Sequence, residues 1–307
     1  MGAFADEETI FAPRHVMGWL LFTMSAGFVN ASAVMACKNF VTHVTGNVTN
    51  LGMDAADTTL AVDYVLLVVS FIAGAMAAVL IAETFRARPK VAFALPILVS
   101  FTMLVGIGVA GKAGWLGVFG VDRELGQRAF VMLGILAAAM GMINAAVAVA
   151  TKNMIRITHL TGPATDIAGN LVRAALGAGA GTRGEARWAA LRLAKLASFA
   201  VGAGLAARFA ARLHFDLFSV SAGILIVALA FTGAPGEGET VKAGEDVEAS
   251  PVAGDAEAGA AVVAIARASL TSGVDGREAT EPHSSRHPVA RTAAAPDGAA
   301  DRREDTG

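Results

Sequence analysis

A single cysteine, Cys37, stands in 307 residues. One thiol excludes an intramolecular disulfide and any multi-cysteine metal cluster, and it leaves the redox compartment open. Charge is scarce as well. Only 16% of residues are Asp, Glu, Lys or Arg, against about 25% in an ordinary soluble domain. No Ser/His/Asp set, no His-Glu metal motif and no carboxylate pair stands out, so the chain reads as a non-enzyme with no cofactor and no metal site. Basic residues nowhere gather into a binding stripe, which argues against a nucleic-acid partner. The polar opening, residues 1–15, carries three early acids, and the apolar run behind it has no small-residue cleavage site. No removable signal peptide is expected, and the first apolar helix serves as the targeting signal.

What fills the space is apolar: 55% of the chain is hydrophobic, more than a soluble core can absorb. Apolar runs cover residues 16–36, 60–82, 91–110, 129–150, 193–211 and 215–232. Each approaches the roughly 20 residues that a helix needs to cross a hydrocarbon layer about 30 Å thick. The expected fold is therefore an all-α membrane protein of about six spans, with the bilayer as its first partner. The fifth run has Arg192, Lys195 and Arg208 at its ends, where long basic side chains reach the interface. Counting basic residues beside the runs gives eleven on the side shared by the N-terminus, the second and fourth connections and the C-terminus, against six on the other. That bias predicts both termini in the cytoplasm and a plasma (inner) membrane location.

Charge divides along the chain too. Up to Thr232 there are 17 Lys/Arg against 12 Asp/Glu, and beyond it 7 against 14. From Gly233 onward Gly, Pro, Ala, Ser and acids dominate, beginning at Ala234-Pro235-Gly236, and helical periodicity is lost. Such a segment cannot bury enough apolar surface to offset its ordering entropy, so residues 233–307 are expected to form a disordered acidic cytoplasmic tail. Its apolar patch at 258–270 contains Arg267 and is too short to span.

The chain also repeats itself. Gly27-Phe28-Val29-Asn30-Ala31, followed by Ala36, Lys38 and Asn39, returns as Gly141-Met142-Ile143-Asn144-Ala145 with Ala150, Lys152 and Asn153. Thr42-His43-Val44-Thr45-Gly46 with Thr49-Asn50 returns as Thr158-His159-Leu160-Thr161-Gly162 with Thr165-Asp166. Ser70-Phe71, Gly74-Ala75 and Ala78 return as Ser198-Phe199, Gly202-Ala203 and Ala206. Matches of Ala and Gly arise easily in such a chain, whereas Asn, Lys-Asn, Thr-His and Thr-Gly in one order do not. Two halves follow, residues 16–111 and 129–232. Three spans in each would insert the second half from the opposite side, making the repeats inverted.

The repeated Thr-His-x-Thr-Gly stretches are too polar to span. Broken or re-entrant half-helices fit them, since non-helical backbone at membrane depth survives only where protein or a wet cavity surrounds it. Ordinary interfacial loops fit as well. Thr45 and Thr161 are expected to cap half-helix N-termini, whose exposed N–H groups favour an anionic or strongly polar ligand. The candidate binding set is Asn30, Thr45, Asn47, Asn50, Asn144, Thr161, Thr165 and Asp166. His43 and His159 can serve in proton transfer or metal binding, or in plain structural hydrogen bonds. Asn30 and Asn144, inside apolar runs, must hydrogen-bond in the bundle interior, either to another helix or to a substrate. The Ser70/Gly74/Ala78 and Ser198/Gly202/Ala206 faces permit close helix packing, with spans two and five meeting equivalent neighbours or each other.

These motifs together resemble the YoaK-like family of bacterial membrane proteins, a domain-of-unknown-function family (DUF1275), over roughly residues 16–232. The resemblance implies a six-helix membrane protein and brings no established substrate. It also implies Asp where this chain has Asn30, which removes an ionisable group at that position. Pro163 stands where the first half has Asn47, so the half-sites are chemically unequal. The leading expectation is a transporter or channel for a small polar solute, in a single copy or a homo-oligomer. The alternative is a non-transporting adaptor or assembly factor that acts through its acidic tail.

Overall fold

The computed structural model describes residues 4, 6–54, 58–120, 126–177 and 182–233; the acidic stretch from 234 onward, with its 258–270 patch, lies outside the described residues. Within them every element is an α-helix: α1 (Glu7–Ile10), α2 (Pro13–Cys37), α3 (Val44–Met53), α4 (Thr58–Thr84), α5 (Pro89–Lys112), α6 (Gly126–Ala150), α7 (Thr161–Leu176), α8 (Thr182–Leu213) and α9 (Asp216–Thr232). Hydrocarbon offers no partner to a free N–H or C=O, so an apolar run of this length satisfies its backbone as helix. Pro13 and Pro89 open α2 and α5 at positions that need no donor. Gly177 ends α7 in left-handed geometry, at φ 64°.

All six apolar runs become helices. Five of them, α2, α4, α5, α6 and α8, are long and apolar enough to cross a membrane, and this marks the chain as a membrane protein. The sixth, α9, has 17 residues, about 26 Å at 1.5 Å per residue, and lies at the lower limit. α8 is longer than its apolar run, because a basic first third precedes it.

α2 and α6 form the centre, each with 67% of its apolar window buried, whereas α4 has 17% and α8 28%. The outer face of α4 exposes Val62, Val65, Val69, Ile72, Met76 and Leu80, a surface suited to lipid and not to water.

Packing contacts come in matched sets. α2 lies against α8, and α6 against α4. A Cβ at Gly27 would stand 2.1 Å from the Phe199 carbonyl oxygen, and one at Gly202 2.0 Å from that of Met24. On the other pair, a Cβ at Gly141 would stand 2.0 Å from the Phe71 oxygen and one at Gly74 1.9 Å from that of Ala138. Only glycine permits this approach. The faces at 70/74/78 and 198/202/206 thus meet equivalent neighbours, α6 and α2. They do not meet each other: among the described residues α4 and α8 do not pack together, because the central helices separate them. The third helices complete the pattern. Ser221 Oγ of α9 donates to the Ser25 carbonyl of α2 at 3.3 Å, and Ser100 Oγ of α5 to the Ala139 carbonyl of α6 at 3.2 Å.

The opening residues, polar by composition, anchor into this bundle. Phe4 is fully buried, its N–H donates to the Ala150 carbonyl at 2.9 Å, and its ring meets Trp19 and Phe93 edge to face at 5.1 and 5.3 Å. The start of α2, the start of α5 and the end of α6 therefore lie together. At the opposite end Gly120 N–H donates to the Ala36 carbonyl at 3.2 Å, and Lys112 pairs with Asp216 at 3.0 Å.

Candidate functional site

Beyond α2, Lys38 turns the chain at φ 58° and the loop folds back along the helix it has just left. Asn30 Oδ1 accepts the N–H groups of Val41 and Thr42, both at 3.1 Å. Asn30 precedes the helix end by seven residues, so the loop descends about 10 Å along α2 at 1.5 Å per residue. The other segment does the same. Lys152 and Asn153 turn at φ 48° and 63°, and Asn144 Oδ1 accepts the N–H groups of Ile157 and Thr158 at 3.0 and 3.2 Å. The two asparagines tie helix to loop, a role distinct from both helix-to-helix adhesion and simple ligand contact. Two N–H donors require the oxygen to face them, which fixes each amide. The Nδ2 donors of Asn30 and Asn144 then have no partner among the described residues.

The two descending loops meet at one cavity of about 480 Å³. Its fourteen lining residues form seven matched pairs: Asn30 and Asn144, Phe40 and Arg156, Thr42 and Thr158, His43 and His159, Val44 and Leu160, Thr45 and Thr161, Phe71 and Phe199. Residues more than a hundred positions apart thus take corresponding places around a single space. Of the candidate set, Asn30, His43, Thr45, Asn144, His159 and Thr161 line it.

Four candidates do not. Asn47 is buried and its Nδ2 donates to the Phe40 carbonyl at 3.1 Å, bracing the loop. Asn50 is half-buried further along α3, and Thr165 is exposed on α7. Asp166 pairs with Arg192 at 3.3 Å. Both short helices start beside the cavity and carry their later residues away from it.

Nor do the threonines cap these helices. α3 starts at Val44, one residue before Thr45, and Thr161 is already helical. At α7 the histidine assumes that role: His159 Nε2 accepts the Gly162 N–H at 3.3 Å. A Cβ at Gly162 would come within 2.6 Å of that nitrogen, and one at Gly46 within 1.9 Å of His43 Cδ2. Each imidazole therefore lies over the first turn of its helix, in space that only the glycine of Thr-Gly leaves free. Among the described residues no group of three or more metal-ligating side chains gathers.

Sequence reasoning passed over Thr42, Thr158, Phe71 and Phe199, although all four lie within the repeated motifs. It also passed over Arg156, which no motif contains.

α7 is bound to α8 by a polar network. Asn170 donates to Glu185 and accepts from Arg192, and Arg173 pairs with Glu185 at 3.1 Å. No curated protein and no solved structure matches the chain. A family described as a protein of unknown function, DUF1275, matches residues 18–231, which takes in both loops and every residue of the central cavity. This chain, with its helices apolar enough to cross a membrane and a paired cavity between them, belongs to the DUF1275 family.

Proposed function

We propose that the protein is a transporter or channel for a small polar solute, bound in the central cavity. The observation that carries this reading is the sevenfold pairing of the lining residues. A site at the interface of two repeats is the arrangement that many alternating-access transporters use. On this reading α9 is a sixth span, the halves are inverted, and both termini face the cytoplasm of a bacterial inner membrane. The start of α2 beside the end of α6 supports opposite insertion of the halves. So does the descent of each loop from its own helix end toward the middle. The Nδ2 donors of Asn30 and Asn144, with the hydroxyls of Thr45 and Thr161, favour a solute rich in acceptor oxygens.

Solute flux into proteoliposomes tests the proposal, with Thr45→Val and Thr161→Val as the diagnostic variants. Each keeps side-chain shape and removes a hydroxyl. Wild-type flux in both variants, with normal folding, would refute a functional site there. Spin labels at the two positions provide an independent check, because separation by a full membrane thickness would sink the shared-site geometry. The adaptor alternative draws on the acid excess after Thr232 alone, and pull-down with the isolated tail tests it.

A further inference from the structure

We propose that the solute is a small oxyanion, and that it first binds in a second cavity beside the central one; this rests on the transport reading above. The second cavity holds about 270 Å³ and is lined in part by Arg156, His159, Asp166, Arg192 and Lys195. Arg156 and His159 also line the central cavity, so the two spaces share a wall.

Lys195 is the decisive residue. It is only 4% exposed, and its Nζ donates to the Arg156 carbonyl at 2.6 Å. No carboxylate stands within ion-pair distance of it among the described residues. Arg192, by contrast, already has Asp166 at 3.3 Å and lies over the Trp188 ring at 5.4 Å. Three cations thus face one carboxylate, and that carboxylate is taken. A buried ammonium without a counter-charge is costly, and an anion in the cavity supplies the missing charge. Two of the three ammonium N–H donors remain for it. The guanidinium of Arg156, whose Nη2 already donates to Asn153 Oδ1 at 3.3 Å, adds further donors for an anion's oxygens. Further in, the unpartnered Nδ2 groups of Asn30 and Asn144 line the central cavity, so an acceptor-only ligand finds donors in both spaces.

This chemistry belongs to one half. The repeat offsets put Phe40, Tyr64 and Leu67 where the second half has Arg156, Arg192 and Lys195. The halves share their loop geometry but not this charge. At about 30 Å³ per water the space equals about nine waters, which is room for phosphate or a short carboxylate.

The test uses the purified full chain in neutral detergent. Thermal unfolding is followed against sodium phosphate and sodium acetate, with sodium chloride at matched ionic strength as reference, since a ligand of the folded state raises its apparent stability. At least one oxyanion should raise the midpoint. Its apparent Kd should weaken at least tenfold in Lys195→Met and at least threefold in Arg156→Gln, whose exposed site makes misfolding no obstacle. No midpoint rise beyond chloride, or unchanged Kd in both variants, overturns the proposal. A rise produced only by phosphatidylglycerol nanodiscs, and not by free anions, assigns the site to a lipid headgroup and also overturns it. Proteoliposome uptake of labelled phosphate, acetate and glycerol separates the two readings. Glycerol uptake without anion uptake overturns the oxyanion and leaves transport standing. Oxyanion binding lost in Lys195→Met, with no uptake of any solute, overturns transport and leaves the anion site standing.

Discussion

The segment that follows α2 and the segment that follows α6 are held by the same hydrogen bonds and surrounded by different side chains. In both, an asparagine six or seven residues before the helix end collects two loop N–H groups. In both, a histidine lies over a glycine in the next helix. The surroundings then diverge: Phe40, Asn50 and Leu67 on one side correspond to Arg156, Asp166 and Lys195 on the other. Backbone groups drawn away from solvent must be satisfied in each half, so that skeleton is kept in duplicate. Side chains facing the approach are under no such demand. The same divergence bears on the expected orientation, because Arg156, Arg192 and Lys195 are three of the eleven basic residues on which it rests, and on the anion proposal a binding site rather than lipid headgroups would explain them.

The largest test of the shared skeleton is Asn30→Leu. It strands the N–H groups of Val41 and Thr42, both buried, at about 1–3 kcal/mol for each unmet donor. Asn144→Leu should cost less, since Thr158 is only half-buried. Thermal unfolding in detergent ranks the two, and a larger loss at position 144 would break the comparison. Asn30→Asp keeps an acceptor for both donors and should lose far less than the leucine variant.

Next in size are Gly27→Ala and Gly141→Ala. Each drives a methyl group into a carbonyl oxygen of the facing helix, for which overpacking costs of about 1–3 kcal/mol are usual. Equal losses would sharpen the view that α2 with α8 and α6 with α4 are one contact used twice. A neutral result at either position would end it.

Thr45→Val and Thr161→Val probe function rather than folding. Both side chains are exposed at the cavity and neither caps a helix, so stability should move by no more than about 0.5 kcal/mol. On the transport proposal, flux should fall about tenfold, equivalent to about 1.4 kcal/mol in the barrier. A fall in one variant only would show that the halves contribute unequally.

The smallest effect lies at Asp6, outside the spans. The N–H and hydroxyl of Thr9, at 2.7 and 2.9 Å, hold its carboxyl below the ordinary value of 3.8. A depressed folded value means that its contribution is present above that ordinary value and is lost as pH falls through the folded one. Acid titration of stability should therefore show a slight extra loss below about pH 4, absent in Asp6→Asn. An unchanged titration in the variant would show that the Asp6–Thr9 bonds add nothing to stability.

Much of the cavity is legible in the sequence. Asn30 and Asn144 stand out because an amide inside an apolar run demands a partner, and the matched Thr-His-x-Thr-Gly stretches point to both loops. Thr45 and Thr161 miss the cap position because α3 already starts at Val44 and α7 at Thr161 itself. Asn50, Thr165 and Asp166 belong to the repeated stretches, yet their helices carry them past the cavity, which repetition in sequence does not report.

Hydropathy along the chain determined by itself that six stretches would be helical, because each must satisfy its own backbone without water. Self-comparison determined that the chain is duplicated. Tertiary structure alone decided that α2 pairs with α8 and α6 with α4, that Phe4 closes one end of the bundle, and that Asp166 serves Arg192. It also decided that fourteen residues from two distant stretches share a single cavity. The physical reason is range. Periodicity and hydropathy report what neighbouring residues demand of each other, whereas the meeting of Gly27 with Phe199, or of Thr45 with Thr161, depends on how whole helices fill space together.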